Sequence, residues 1–148
     1  MIKELEMMKI DKVINESKNV KTFMFNRNID FNPGQFIMVW IPRVDEKPFT
    51  ISYHDSDSFG ITIFKVGEFT TRLFEMGLGD SIGVRGPYGK GFVLDSKSCA
   101  IGGGVGMASI APLFSKLDDL IIVQGAQTKD AILYQKRFPA MVLCTDDG

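Results

Sequence analysis

The sequence predicts a small six-stranded antiparallel β barrel over residues 1–95, followed by a partial α/β doubly wound parallel sheet over residues 96–148. Two observations predict it. Through the first two thirds, short runs rich in Val, Ile, Phe and Thr alternate with turn signals, the pattern of an all-β unit. After Asp95 the rhythm changes to apolar strand, glycine turn, helix and strand again, the pattern of parallel βαβ units.

The strand-like runs are residues 8–14, 20–25, 35–41, 48–53, 60–65 and 81–85. Asn32-Pro33-Gly34, Asp55-Ser56-Asp57-Ser58 and Gly77-Leu78-Gly79-Asp80 punctuate them as turns. Residues 69–76 break the alternation, because Phe69, Leu73 and Met76 fall at helical spacing. Closing such strands on themselves hides their edges, which favours a barrel. Beyond residue 95, residues 98–101, 120–124 and 141–144 read as strands. Residues 107–117 and 129–138 read as helices, with Pro112 bending or bounding the first.

With 45% hydrophobic and 24% charged residues, the composition is that of a folded globular chain. The 17 basic and 18 acidic side chains leave a formal charge of −1, which offers no footprint for nucleic acid or an anionic membrane. The longest apolar run, residues 36–41, is too short to span a bilayer. Met1-Ile2-Lys3-Glu4 leads into mixed charges, so no signal peptide is expected. Cys99 and Cys144 lie far apart with no CxxC pair; neither a disulfide scaffold nor a metal site is expected, and a cytoplasmic setting fits. Cys144 reads as a buried strand residue.

Four segments carry chemistry. Phe31-Asn32-Pro33-Gly34-Gln35-Phe36 reads as a turn opening a strand. Lys47-Pro48-Phe49-Thr50-Ile51-Ser52 puts a cation, an aromatic ring and hydroxyls close together on one strand, either as a binding wall or as an exposed edge. Gly67-Glu68-Phe69-Thr70-Thr71 places a glycine and two hydroxyls where a short helix begins. Helix starts suit phosphate through their free N–H groups and positive dipole end, and the plain alternative is an N-cap by Thr70. Glu68 opposes an anion and is expected to point away. Gly102-Gly103-Gly104-Val105-Gly106 holds four glycines in five positions, which lets a backbone approach a ligand closely. It departs from the GxGxxG fingerprint because Met107 stands where the last small residue should fall.

In this order the segments resemble the ferredoxin–NADP reductase superfamily, and within it the electron-transfer subunits of bacterial and archaeal dihydroorotate dehydrogenases. The likeness runs from Pro33-Gly34-Gln35-Phe36 through residues 47–52, 67–73 and Gly86-Pro87-Tyr88-Gly89-Lys90-Gly91-Phe92. It continues through the glycine turn to Gly125-Ala126-Gln127 and Thr145-Asp146-Asp147-Gly148. The resemblance implies a Greek-key flavin-binding barrel in an oxidoreductase that serves pyrimidine biosynthesis. It implies FAD along residues 47–52, with Thr50 near the ring's reactive edge, Phe49 beside the ring, Lys47 near phosphate, and Pro48, Ile51 and Ser52 completing the strand. Gly67, Thr70 and Thr71 would receive the FAD pyrophosphate. Gly102, Gly103, Gly104, Val105 and Gly106 would face the pyrophosphate of NAD(P)H. Electrons would pass from NAD(P)H through FAD to a partner, either a dihydroorotate dehydrogenase-like catalytic subunit or ferredoxin. No acid–base side chain is required, and no catalytic residue is assigned.

Four positions depart from the family pattern. Lys47 stands where arginine is usual, Phe49 where tyrosine is frequent, and Ser109 where proline commonly follows the turn. Gln127 replaces an arginine that often follows Gly-Ala, which favours NADH over NADPH. Residues 96–148 supply about half of a doubly wound domain, so the chain is expected to be a fragment with an uncovered sheet edge. A [2Fe–2S] centre would then belong to a missing C-terminal segment or a partner. The competing reading is a flavin-binding regulatory or scaffold module without turnover, its nucleotide half being incomplete.

Overall fold

Strands form where apolar side chains alternate and turn residues bound them. In chain order they are β1 (Ile2–Lys9), β2 (Lys12–Ser17), β3 (Val20–Phe25), β4 (Phe36–Ile41), β5 (Asp45–His54), β6 (Phe59–Phe64) and β7 (Ser81–Tyr88). The computed structural model describes residues 2–93, 95, 97–117 and 119–148. The seven strands make one curled antiparallel sheet in the order β1-β7-β4-β5-β6-β3-β2, a half-barrel whose two edge strands are consecutive in the chain.

That count corrects the expected six. Residues 8–14 are not one strand but the end of β1 and the start of β2. The handover lies at Ile10-Asp11. Ile10 donates to the Asp80 carbonyl on the β7 side (2.8 Å), and Asp11 donates to the Met24 carbonyl on the β3 side (2.9 Å). A single apolar run therefore serves two different partners, which periodicity along the chain does not reveal.

Inside the curl, Phe23, Ile37, Val39, Ile51, Ile61, Ile82 and Val84 interdigitate, all essentially without solvent contact. α1 (Glu68–Glu75) closes one end by inserting Phe69 and Leu73, at the expected helical spacing. The turn chemistry also holds. Gly34 adopts φ +97° and Gly79 φ +86°, conformations that favour glycine. The Asp55 carboxylate accepts from the N–H groups of Asp57 (2.9 Å) and Ser58 (2.7 Å), closing the β5–β6 hairpin.

The expected boundary at Ser96 lies outside the described residues. Beyond it, β8 (Cys99–Gly103), β9 (Ile121–Ala126) and β10 (Val142–Thr145) form a parallel three-stranded sheet in the order β10-β9-β8. The helix expected over residues 107–117 is a short α2 (Met107–Ile110) continued as a 3₁₀ segment (Ala111–Ser115) with Pro112 in its first turn. The helix expected over residues 129–138 is absent. Only Lys129–Ala131 makes a 3₁₀ turn, and Tyr134 takes φ 61°, which no helix interior accommodates. Cys144 is exposed, not buried, because one face of this sheet is open: Ile101, Ile121 and Val142 are exposed beside it. Among the described residues no helix is long and apolar enough to cross a membrane.

The two sheets are joined through a buried polar junction. The β5–β6 register shifts between Ile51 and Tyr53, and Ser52 at that point is fully buried. Ser52 and Thr62 hydroxyls lie 2.7 Å apart, Thr62 and Thr22 2.7 Å apart, and the Tyr134 hydroxyl donates to Thr62 at 2.6 Å. Thr22 donates its single proton to Glu16 (2.7 Å), so Thr22 must accept from Thr62. A directed chain results, running Tyr134, Thr62, Thr22, Glu16. Tyr53 also donates to Glu16, at 3.1 Å.

Burial, then the Glu16 charge, pushes the Tyr53 phenol up to about 12, and burial raises Tyr134 well above its usual value. Unfolded tyrosines titrate near 10, so above that pH the unfolded chain holds fewer protons than the folded one. Stability is therefore expected to be level up to about pH 10 and to fall as pH rises towards 12. Urea midpoints between pH 8 and 12 check this, with Tyr134→Phe expected to flatten the decline.

Candidate functional site

β5 and the start of α1 face each other across a cavity of about 490 Å³. Lys47, Pro48 and Phe49 line one side, and Gly67, Phe69 and Thr70 line the other. Two segments separated in sequence are thus brought together. Phe49 and Phe69 stack with ring centroids 5.9 Å apart and make its apolar wall. The Lys47 ammonium is half-exposed and pairs with Asp45 at 2.5 Å.

The helix start has a defined donor set. The Thr70 hydroxyl oxygen accepts from the N–H groups of Val66 and Gly67, both at 2.9 Å, and so caps the loop from position N3 and not from the N-cap. The first intrahelical bond runs from Thr71 N–H to the Gly67 carbonyl (2.8 Å), which leaves the preceding helical N–H groups for an outside acceptor. A Cβ built on Gly67 meets nothing within 4 Å, so the backbone there borders open space. Glu68 lines the same cavity, contrary to the expectation that it points away. Thr71 does not line it.

The rest of the β5 motif disperses. Thr50 pairs with Phe36, which lies 6.0 Å from the Tyr88 ring. Ile51 is sealed in the core, and Ser52 faces the junction. The Asn32–Gln35 turn and the Gly86-to-Phe92 loop are tied together: Gln35 donates to the Gly89 carbonyl (2.8 Å) and Phe92 to that of Pro33 (2.8 Å). Sequence reading missed Glu46 and Arg85, whose carboxylate and guanidinium pair at 2.7 Å beside Tyr88. Arg85 holds the Glu46 carboxyl below its ordinary value. They come from strands on either side of β4, so no local pattern links them.

A second cavity of about 550 Å³ opens at the carboxyl ends of β8, β9 and β10, where open α/β sheets take their ligands. Gly103, Gly104 and Val105 line it, with Gln127 and Asp146 opposite; Gly102 and Gly106 fall outside it. Gly102 is needed for packing: a Cβ there would lie 3.0 Å from the Met107 backbone. Phe64, from the end of β6, also borders this cavity and was not anticipated.

A curled antiparallel sheet with an aromatic cleft that holds one lysine at a helix start, joined to a parallel sheet with a glycine turn, has the architecture of an oxidoreductase flavin-binding module. The chain belongs to the oxidoreductase FAD-binding domain family, whose model matches residues 7–92. It is 44% identical over 148 residues to the probable dihydroorotate dehydrogenase B (NAD(+)) electron transfer subunit of Methanocaldococcus jannaschii, covering 95% of this chain and 56% of that protein. The similarly named Thermococcus kodakarensis protein is 41% identical over 150 residues, covering 94% and 61%. The chain therefore spans just over half the length of these curated relatives. Among solved structures, an NADH-dependent reduced ferredoxin-NADP oxidoreductase superposes with a TM-score of 0.81 at 25% identity, over 93% of this chain and 55% of that one. Phthalate dioxygenase reductase shares the fold, with a TM-score of 0.85 at 12% identity, over 97% and 52%.

The cleft suits FAD. It offers a cation, an aromatic wall and free helix N–H groups within one cavity.

Proposed function

We propose that this chain is the flavin-binding part of an electron-transfer subunit that carries electrons from NAD(P)H through FAD to an iron–sulfur or partner-subunit acceptor. The observation that carries the reading is the single cavity shared by Lys47, Phe49, Gly67 and Thr70. Bound FAD supplies the chemistry, accepting a hydride from the nicotinamide and releasing electrons singly. The chain's own residues bind and orient: Phe49 and Phe69 cover the cofactor's apolar surface, Lys47 and the α1 start meet its phosphates, and Thr50 presents a hydroxyl on the same strand. Gly103, Gly104 and Val105 would admit the nicotinamide dinucleotide close to the backbone.

In this reading the barrel occupies residues 1–95, and residues 96–148 are the first half of a doubly wound nucleotide-binding domain. In the same reading the acceptor is a dihydroorotate dehydrogenase-like catalytic subunit and the setting is the cytoplasm; the name "electron transfer subunit" carried by the relatives supports the first of these. Among the described residues, the second cavity's lining carries Asp146 and no lysine or arginine, which disfavours the extra phosphate of NADPH.

The test is anaerobic stopped-flow at 450 nm on the full-length protein loaded with FAD. Bleaching by NADH is expected, at least about tenfold more efficiently than by NADPH, given that one phosphate–carboxylate clash costs over 1.4 kcal/mol. Flavin that stays oxidised under excess NADH would rule the reading out in favour of a scaffold role.

A further inference from the structure

The segment from Leu133 to Phe138 is where a helix was expected and a strained turn is found. Tyr134 is almost fully buried in a left-handed backbone conformation that costs a non-glycine residue on the order of 1 kcal/mol or more. Such a conformation persists only where its surroundings over-determine it. Here three contacts do so, and all three bridge different elements. Gln124 of β9, with its amide oriented to satisfy both bonds, donates to the Leu133 carbonyl (2.7 Å) and accepts from the Leu133 N–H (2.9 Å). Tyr134 donates to Thr62 of β6. Arg137 donates to the Ser52 carbonyl of β5 at 2.8 Å.

Arg137 does more than donate one bond. Its guanidinium lies 3.7 Å from the Tyr53 ring centre and 4.5 Å from that of Phe138. Phe138 in turn stacks on Phe114 from the 3₁₀ segment, with centroids 3.7 Å apart and planes 1° from parallel. The turn therefore grips β5 at Ser52 and Tyr53, two residues along from Thr50, while its other end is fastened to the parallel sheet. Desolvation lowers the Arg137 pKa, so the cation is kept in a costly place, and its ring and carbonyl partners offset that cost.

We propose that the Tyr134–Arg137 turn is a latch that fixes the parallel sheet against the cofactor strand, with Arg137 a positioning residue for transfer between nicotinamide and flavin. This inference rests on the function proposed above. Transfer needs its reacting atoms held near contact distance, and a misplacement of about 1 Å can cost on the order of a hundredfold in rate. The cofactor cavity lies on the antiparallel sheet and the second cavity chiefly on the parallel one, with Phe64 of β6 at its border, and the latch is a polar connection between the two sheets.

Two measurements on the full-length protein test the latch. In FAD-free protein, hydrogen–deuterium exchange of Arg137→Ala is expected to speed up about tenfold over residues 51–54 and 133–138, with β2 and β7 unchanged, the local opening expected when a bridging contact is lost. In FAD-loaded protein, the limiting bleaching rate at saturating NADH is expected to fall about tenfold, with the 450 nm absorbance per protein unchanged. A residue that only stabilises the fold would lower FAD content and leave the rate per bound FAD intact. Arg137→Lys, which keeps the donor and loses the flat stack, is expected to recover part of both effects. If Arg137→Ala does not fold, Tyr134→Phe, which removes only the hydroxyl to Thr62, is expected to show both effects in smaller measure. Wild-type exchange and wild-type limiting rate in these variants would overturn the latch. Wild-type protein that NADH fails to bleach would instead sink the functional reading, while the exchange result would still decide whether the latch exists.

Discussion

A Lys47→Glu variant is expected to bind FAD at least about a hundredfold more weakly than wild type, a loss of roughly 2.7 kcal/mol. Among the described residues lining the β5–α1 cavity, Lys47 is the one cation, set against the carboxylates of Asp45 and Glu68. Reversing it leaves three carboxylates around a site that must take a pyrophosphate. The N–H groups at the α1 start cannot compensate, since a helix start contributes typically about 0.3–1 kcal/mol to an anion, little more than a third of the loss at most. The fold should be indifferent, because the Lys47–Asp45 pair is half-exposed and such pairs contribute about 0–1 kcal/mol. Fluorescence titration of cofactor-free protein with FAD, beside a thermal melt, separates the two effects. Lys47→Arg should bind FAD as well or better, its fork matching phosphate bidentately. Unchanged FAD affinity in Lys47→Glu would place the pyrophosphate elsewhere.

Thr62→Val is expected to destabilise the protein by about 3 kcal/mol, although it conserves shape. Its hydroxyl is buried and touches those of Thr22, Ser52 and Tyr134. Ser52 has a second acceptor in the Gly60 carbonyl at 3.3 Å, so it is partly spared. Tyr134 loses its 2.6 Å acceptor, and Thr22 keeps its bond to Glu16 but loses the donor to its own oxygen. Leaving a buried hydroxyl unpaired costs about 1–3 kcal/mol, and here one change breaks a directed chain at its middle. Thr62→Ser keeps the hydroxyl and should cost about 1 kcal/mol, the price of a buried methyl. Urea denaturation of both variants checks the difference; equal losses would mean that packing, not the hydroxyl chain, holds the junction.

The second effect also marks where sequence reading stops. Thr22, Ser52 and Thr62 sit in strands that alternate as strands should, and nothing local distinguishes a hydroxyl facing solvent from one facing a second sheet. Thr22 and Thr62 are 40 residues apart, and Ser52 and Arg137 are 85 apart. Cys144 failed for the same reason: its strand is apolar, but only the sheet's surroundings determine whether a face is covered. Glu68 was expected to avoid the cleft on charge grounds, yet its place at the start of α1 sets its direction regardless.

By itself the sequence determined the strand character of the first two thirds, the turns at Gly34 and Gly79, the α1 helix and the glycine turn at 102–106. Those are short-range matters of side-chain period and backbone freedom, written into a few consecutive residues. The seventh strand, the left-handed Tyr134 in place of a helix, the shared cavity of Lys47 and Gly67, and the grip of Arg137 on β5 were decided only in three dimensions. Each depends on which partner a segment meets after the chain has folded back, and burial and hydrogen-bond satisfaction, not local preference, select that partner.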